Sequence, residues 1–114
     1  MVNTNRHLSA TSLIGDDIRN PQGESLGDLK ELMIDLGSGS ISYAVVAFGG
    51  IMGLGEKLFA VPWQSLRVDH ENKCLILNVP KEKLKDAPGF DKSDWPDFSD
   101  PTFSEQIGRY YRPG

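Results

Sequence analysis

The stretch ISYAVVAFGGIMGLGEKLFAVP, residues Ile41 to Pro62, decides how the rest of the chain is read. Gly49, Gly50, Gly53 and Gly55 crowd its middle, and Lys57 stands just beyond them. Such a run either cradles a phosphate or turns the chain. A Walker loop needs four residues between its glycines, then Lys and Ser or Thr: backbone amides hold the phosphates, the lysine neutralises them and the hydroxyl binds magnesium. Gly50 and Gly55 have that spacing, but Glu56 occupies the lysine position and Lys57 the hydroxyl position, so a carboxylate would face the phosphate. The next residues, KLFAVP, read as a strand, so the helix N-terminus that favours anions is missing. The dinucleotide fingerprint fails on the same ground, since it must open a helix. The run reads as a wide loop between two strands.

Ile41 to Phe48, which leads into that loop, puts Tyr43, Val45 and Ala47 on one face and Ala44, Val46 and Phe48 on the other. Nearly every residue is apolar, which predicts a strand buried on both sides. Lys57 to Val61 is closed by Pro62, which has no N–H to give a ladder. Upstream, the turn Asn20-Pro-Gln-Gly23 joins a short strand, Asp17 to Arg19, to a longer one, Leu26 to Asp35. In the longer strand Lys30, Leu32, Ile34 and Leu36 oppose Leu29, Glu31, Met33 and Asp35. That imperfect alternation predicts a curved strand with a bulge. Gly37-Ser-Gly39 reverses the chain, and Arg67 to Asp69 forms a last hairpin with Lys73 to Val79. Six short strands with turn signals at close spacing predict an all-β fold, a small six-stranded antiparallel β-barrel, which also removes exposed sheet edges.

The flanks are helical. Ser12 to Ile14 reads as one helical turn ended by Gly15, and Pro80 to Ala87 as another stopped by Pro88-Gly89. Near the C-terminus Thr102 and Glu105 have capping-box spacing, Pro101 precedes them, and Phe103, Ile107 and Tyr110 recur as one helical stripe. An amphipathic helix is expected there, docked on the barrel or on a second copy of it. The expected organisation is a flexible tail over 1–11, a barrel over 12–86 and an extension over 87–114.

At 114 residues the chain is the size of one domain. Its net charge is -4, with twelve Lys and Arg scattered among sixteen acids, which argues against direct nucleic-acid binding. Cys74 is the only cysteine, so no internal disulfide forms and a reducing compartment is expected. No apolar run is long enough for a signal peptide or a transmembrane segment, so a cytoplasmic location is expected.

Chemistry-bearing clusters are sparse. Asp91, Asp94, Asp97 and Asp100 recur at every third position, but no central glycine or closing glutamate completes a calcium loop, and Pro96 interrupts. Turn and N-cap duties explain these residues. His70 and Cys74 supply two ligands where a structural zinc needs four. No GxSxG is present, and the other histidine, His7, lies in the tail. The expectation is a non-enzyme without metal or cofactor. Ile51, Met52 and Leu54 are a different oddity, apolar residues at a loop tip, which plug an open barrel end or contact another protein.

The combination LIGDDIRNPQGESLGDLKELMIDLGSGSISYAVVAFGGIMGLGEKLFAVPWQSL resembles the PRC-barrel family, named for the photosynthetic reaction centre, on its NPQGESLG turn, its IDLGSGSISYAVV hairpin and its glycine loop ending in AVPW. The likeness covers about Ser12 to Leu84, and PGFDKSDWPDFSDPTF is similar to the tail of stand-alone bacterial members. The resemblance implies a small six-stranded barrel, as in the cytoplasmic part of the reaction-centre H subunit and in the C-terminal domain of a ribosome-maturation factor. It implies an adaptor that seats against macromolecules, and no catalytic residues. The H subunit's membrane helix and the ribosome factor's N-terminal domain have no counterpart in this sequence, so an accessory role in a membrane or ribosomal assembly is a secondary expectation.

The leading expectation is a protein-contact module with an unknown protein partner, self-associating as a homodimer or higher homo-oligomer. Its expected contacts are Ile51, Met52 and Leu54 of the loop with Trp95, Phe98, Phe103, Ile107 and Tyr110 of the tail, because desolvated aromatic anchors dominate interface energetics. The alternative is a small-ligand barrel whose pocket lies between barrel and tail, with Tyr43, Trp63 and Trp95 as its lining.

Overall fold

The computed structural model describes residues 7–48 and 57–111. A helical turn, α1 (Ala10–Leu13), leads into strands β1 (Asp17–Arg19), β2 (Ser25–Ile34), β3 (Ile41–Phe48), β4 (Lys57–Pro62), β5 (Leu66–Asp69), β6 (Cys74–Leu77) and β7 (Gly89–Asp91). Short 3-10 turns at Trp63–Ser65 and Lys81–Asp86 connect them, and helix α2 (Pro101–Tyr111) comes last.

The strands form one mixed sheet in the order β5-β6-β1-β2-β3-β4-β7. This corrects the expected six antiparallel strands in two respects. β1 runs parallel to β6, with Ile18 opposite Leu75. Both strands are too short for sequence to reveal a pairing between segments so far apart in the chain. The seventh strand, β7, sits on the outer edge of β4, where Phe90 pairs with Leu58. Three residues opened by a glycine after a proline carry no period-two signal, so the segment reads as a terminator. No pairing closes β5 onto β7 among the described residues.

The expected bulge is present. Leu29 faces Val46 and Glu31 faces Val45, which leaves Lys30 as an extra residue on β2. A second shift on the other edge of β2, where Ile18 faces Gly27 and Arg19 faces Ser25, leaves Leu26 over. Bulges bend a strand and re-aim its side chains. Leu26 and Leu29 are both buried, at 1% and 0% exposure, although strict alternation would send them to opposite faces. β3 lies between β2 and β4, and Tyr43, Ala44, Val45 and Val46 are all buried, as the continuous apolar run predicts. Its neighbour Gly27 has no room for a side chain: a Cβ would stand 1.9 Å from the Ala47 carbonyl oxygen.

One buried polar residue organises the first turn. Asn20, 1% exposed, accepts from the Gln22 and Glu24 amides at 3.1 and 3.0 Å. Its amide donates to Glu24 Oε1 at 2.7 Å and to the Val79 carbonyl at 3.5 Å. The turn is thereby tied to the segment leaving β6, and the side chain's burial is matched by partners.

α2 docks on its own chain against β4, with Ile107 and Tyr111 buried one turn apart. Its cap differs from the expected Thr102–Glu105 box. Asp100 Oδ1 accepts from the Thr102 amide at 2.9 Å, Pro101 takes the first helical position, and Glu105 turns to Arg109 at 2.6 Å. An Asp before Pro meets both N-terminal preferences at once, which moves the helix start toward the N-terminus.

Candidate interaction surface

The β2–β3 hairpin ends in a turn that its own side chains lock. Asp35 accepts from the Gly37 amide at 3.0 Å and from the Ser38 hydroxyl at 3.1 Å, while its backbone N–H donates to the Ser40 carbonyl at 2.8 Å. Ser38 and Ser40 bond each other at 2.7 Å. Asp and Ser side chains suit such turns because they reach nearby backbone amides. The consequence lies between Asp35 and Gly37: Leu36 is held out at 94% exposure, and Ile34 at 55%.

Facing this tip is the segment after β7. A groove of about 570 Å³ separates the two, lined by Met33, Ile34 and Leu36 on one wall and by Pro96 and Phe98 on the other. Asp35 and Asp97 are the charged members of its lining. Phe98 anchors its wall, with ring centroids 5.5 Å from Tyr43, 5.5 Å from Phe103, 6.1 Å from Phe90 and 6.2 Å from Trp95. Trp95 packs at a tilt against Phe90, centroids 5.2 Å apart, donates its indole N–H to the Lys92 carbonyl at 2.7 Å, and remains 40% exposed. A groove of mixed polar and apolar lining, with an exposed leucine on one wall and a packed phenylalanine on the other, has features of a protein-contact surface.

The expected contact residues divide. Phe98 lines the groove, Trp95 packs against Phe90 and Phe98 outside its lining, and Phe103 packs on Phe98 and Tyr43. Ile107 is 1% exposed and spent in the chain's own core. Tyr110 donates its hydroxyl to the Lys83 carbonyl and carries the Lys83 ammonium over its ring, 5.2 Å from the centroid. Ile51, Met52 and Leu54 lie outside the described residues. By sequence pattern Ile34 and Leu36 are ordinary strand positions. The signal that sets Leu36 apart is its place between the turn-forming Asp35 and Gly37, where no strand partner remains to cover it.

The other candidates take structural places. Asp97 accepts from the Ser99 amide at 2.9 Å and Asp100 caps α2, the turn and N-cap duties that explain them in the sequence. His70 is exposed in the β5–β6 turn, and Cys74 is buried, with burial and then Asp69 raising its thiol above the usual range. Tyr43 packs in the core and Trp63 lies against it.

Residues 6–84 match the family model of the PRC-barrel domain. The matched segment contains β1 to β6 and ends before β7 and α2. No curated protein matches the chain.

Proposed function

Because the chain belongs to the PRC-barrel family, we propose that it is a non-catalytic interaction module that docks another protein in the groove between the β2–β3 tip and the 96–99 segment. The observation that carries this reading is Leu36 at 94% exposure on a turn locked by Asp35. A fully exposed leucine forgoes about 2 kcal/mol of burial that a partner would restore, and a turn already rigid loses little entropy on binding. With Asp35 and Asp97 in the lining, the fitting partner presents an apolar anchor accompanied by Lys or Arg.

The test is affinity capture of the tagged chain from its native cells, wild type beside Ile34→Asp with Leu36→Asp. A discrete protein recovered with wild type and lost with the double variant supports the groove. Recovery of the same protein by both moves the contact elsewhere, and Met52→Asp with Leu54→Asp then examines the glycine loop. Self-association is distinguished by salt. In a two-fold pair the patch faces itself, so Asp35 and Asp97 would meet like charges and the dimer would tighten as salt screens them. A partner carrying Lys or Arg would instead bind more weakly in salt.

A further inference from the structure

A second cleft, of about 740 Å³, lies between α2 and the segments that leave β4 and β6. Its polar lining is Gln64, Ser65, Asn78, Lys83 and Arg109, and no carboxylate lines it among the described residues. On a chain of net charge -4, two cations in a cleft whose lining holds no carboxylate single out anions. Arg109 is held by Glu105 at 2.6 Å, but that pair is 66% and 70% exposed, so it exchanges readily for another anion. Lys83, steadied over the Tyr110 ring, has no ion pair among the described residues.

Two further features sit at the same place. Tyr111 lines the cleft, is 4% exposed, and its buried hydroxyl has no hydrogen-bond partner among the described residues. Native proteins rarely leave such a group unanswered. Gly108 also lines the cleft, in the interior of α2, where glycine weakens a helix relative to alanine. A Cβ at Gly108 would meet nothing within 4 Å, so no internal contact calls for glycine there. What its bare backbone leaves is room against the helix.

We infer that this cleft binds a small oxyanion-bearing molecule, a carboxylate or a phosphate, held by Lys83 and Arg109, with Gln64, Ser65 and Asn78 as neutral hydrogen-bond partners and Gly108 as the surface it lies against. This site is separate from the hairpin groove, and its test does not depend on protein docking there. Arg supplies a planar fork and Lys a point charge, both suited to oxyanions.

The experiment is a titration of the full chain, followed by amide NMR shifts, with inorganic phosphate and separately with citrate, ionic strength being held constant with sodium chloride. The expected result is saturable movement of the Ser65, Asn78 and Gly108 amides. In Lys83→Gln with Arg109→Gln, binding weakens about tenfold or more, as expected when a charge-assisted hydrogen bond is lost. Gly108→Ala is expected to melt at a higher temperature than wild type and yet bind the anion more weakly, a combination that a merely structural glycine would not produce. Saturation by phosphate alone assigns a phosphate-bearing ligand, and by citrate alone a carboxylate. Shifts no larger than those from chloride, shifts centred elsewhere, or equal affinity in wild type and variants would overturn the site.

Discussion

The rings of Tyr43 and Phe98 lie 5.5 Å apart at an interplanar angle of 51°, and through this pair the segment after β7 is fastened to strand β3. Phe98 also meets Phe90, Trp95 and Phe103, so it holds one wall of the groove in place. Truncating a packed phenylalanine costs about 3 kcal/mol, and Phe98→Ala is expected to lower the urea midpoint correspondingly. Phe98→Leu, which keeps apolar bulk without the ring contacts, is expected to recover about half of that loss. A Phe98→Ala loss below about 1 kcal/mol would mean that the wall is held by something else.

Asn20 is the next position to test. Its side chain receives two amides and donates toward Glu24 and Val79. Asn20→Ala leaves those groups short of partners in a buried place, and a loss of about 2–3 kcal/mol is expected from thermal or urea unfolding. Asn20→Asp loses the donor and sets a second carboxylate against Glu24 in a buried place, so it is expected to be at least as destabilising as Asn20→Ala at neutral pH.

Gly27 tests the close approach of β2 to β3. A methyl group there would collide with the Ala47 carbonyl oxygen at 1.9 Å and the Phe48 Cα at 2.8 Å, both backbone atoms that cannot move alone. Gly27→Ala is expected to separate the strands or fail to fold, with a loss of about 3 kcal/mol or more. Circular dichroism and melting would read it, and a variant as stable as wild type would show that the bulge relaxes.

Acid should loosen the sheet's ends. Hydrogen bonds from the Asn72 side chain and amide hold Asp69 below the ordinary carboxylate range. At Asp17 burial pushes upward, but the bonds from Arg19 at 2.6 Å and Ser25 at 2.7 Å outweigh it and the net direction is down. A folded value below the unfolded one stabilises the fold above the ordinary range, and that contribution is lost as pH falls through the depressed value. The urea midpoint is therefore expected to fall between about pH 5 and 2, and Asp17→Asn with Asp69→Asn to narrow the difference. An unchanged acid limb would assign it to other carboxylates.

The hairpin tip should be dispensable for folding. Because Ile34 and Leu36 are exposed, Ile34→Asp with Leu36→Asp is expected to change stability by no more than about 0.5 kcal/mol. A larger loss, read by urea unfolding, would give the tip a structural role and weaken its reading as a docking surface.

Elements whose signals are local are legible in the sequence alone. The apolar run of β3, the Asn-Pro-Gln-Gly turn, Pro62 at the end of β4 and the bulge implied by broken alternation in β2 all follow from backbone and side-chain preferences within a few residues. So does membership of a barrel family, whose turns are spaced along the chain. Features that depend on distant partners are settled by the tertiary fold and nothing less. The parallel β1–β6 pairing joins segments far apart in sequence, and β7 exists because the outer edge of β4 receives it. The tail's aromatic and apolar residues divide in the same way, Ile107 and Tyr111 going into the core while Trp95 stays at the surface. A helical stripe shows which residues turn together, but which of them meet a core depends on where the helix lands. Leu36 is the reverse case, an ordinary strand residue by its letter, left almost fully exposed because the turn around it closes through Asp35 and leaves nothing opposite to cover it.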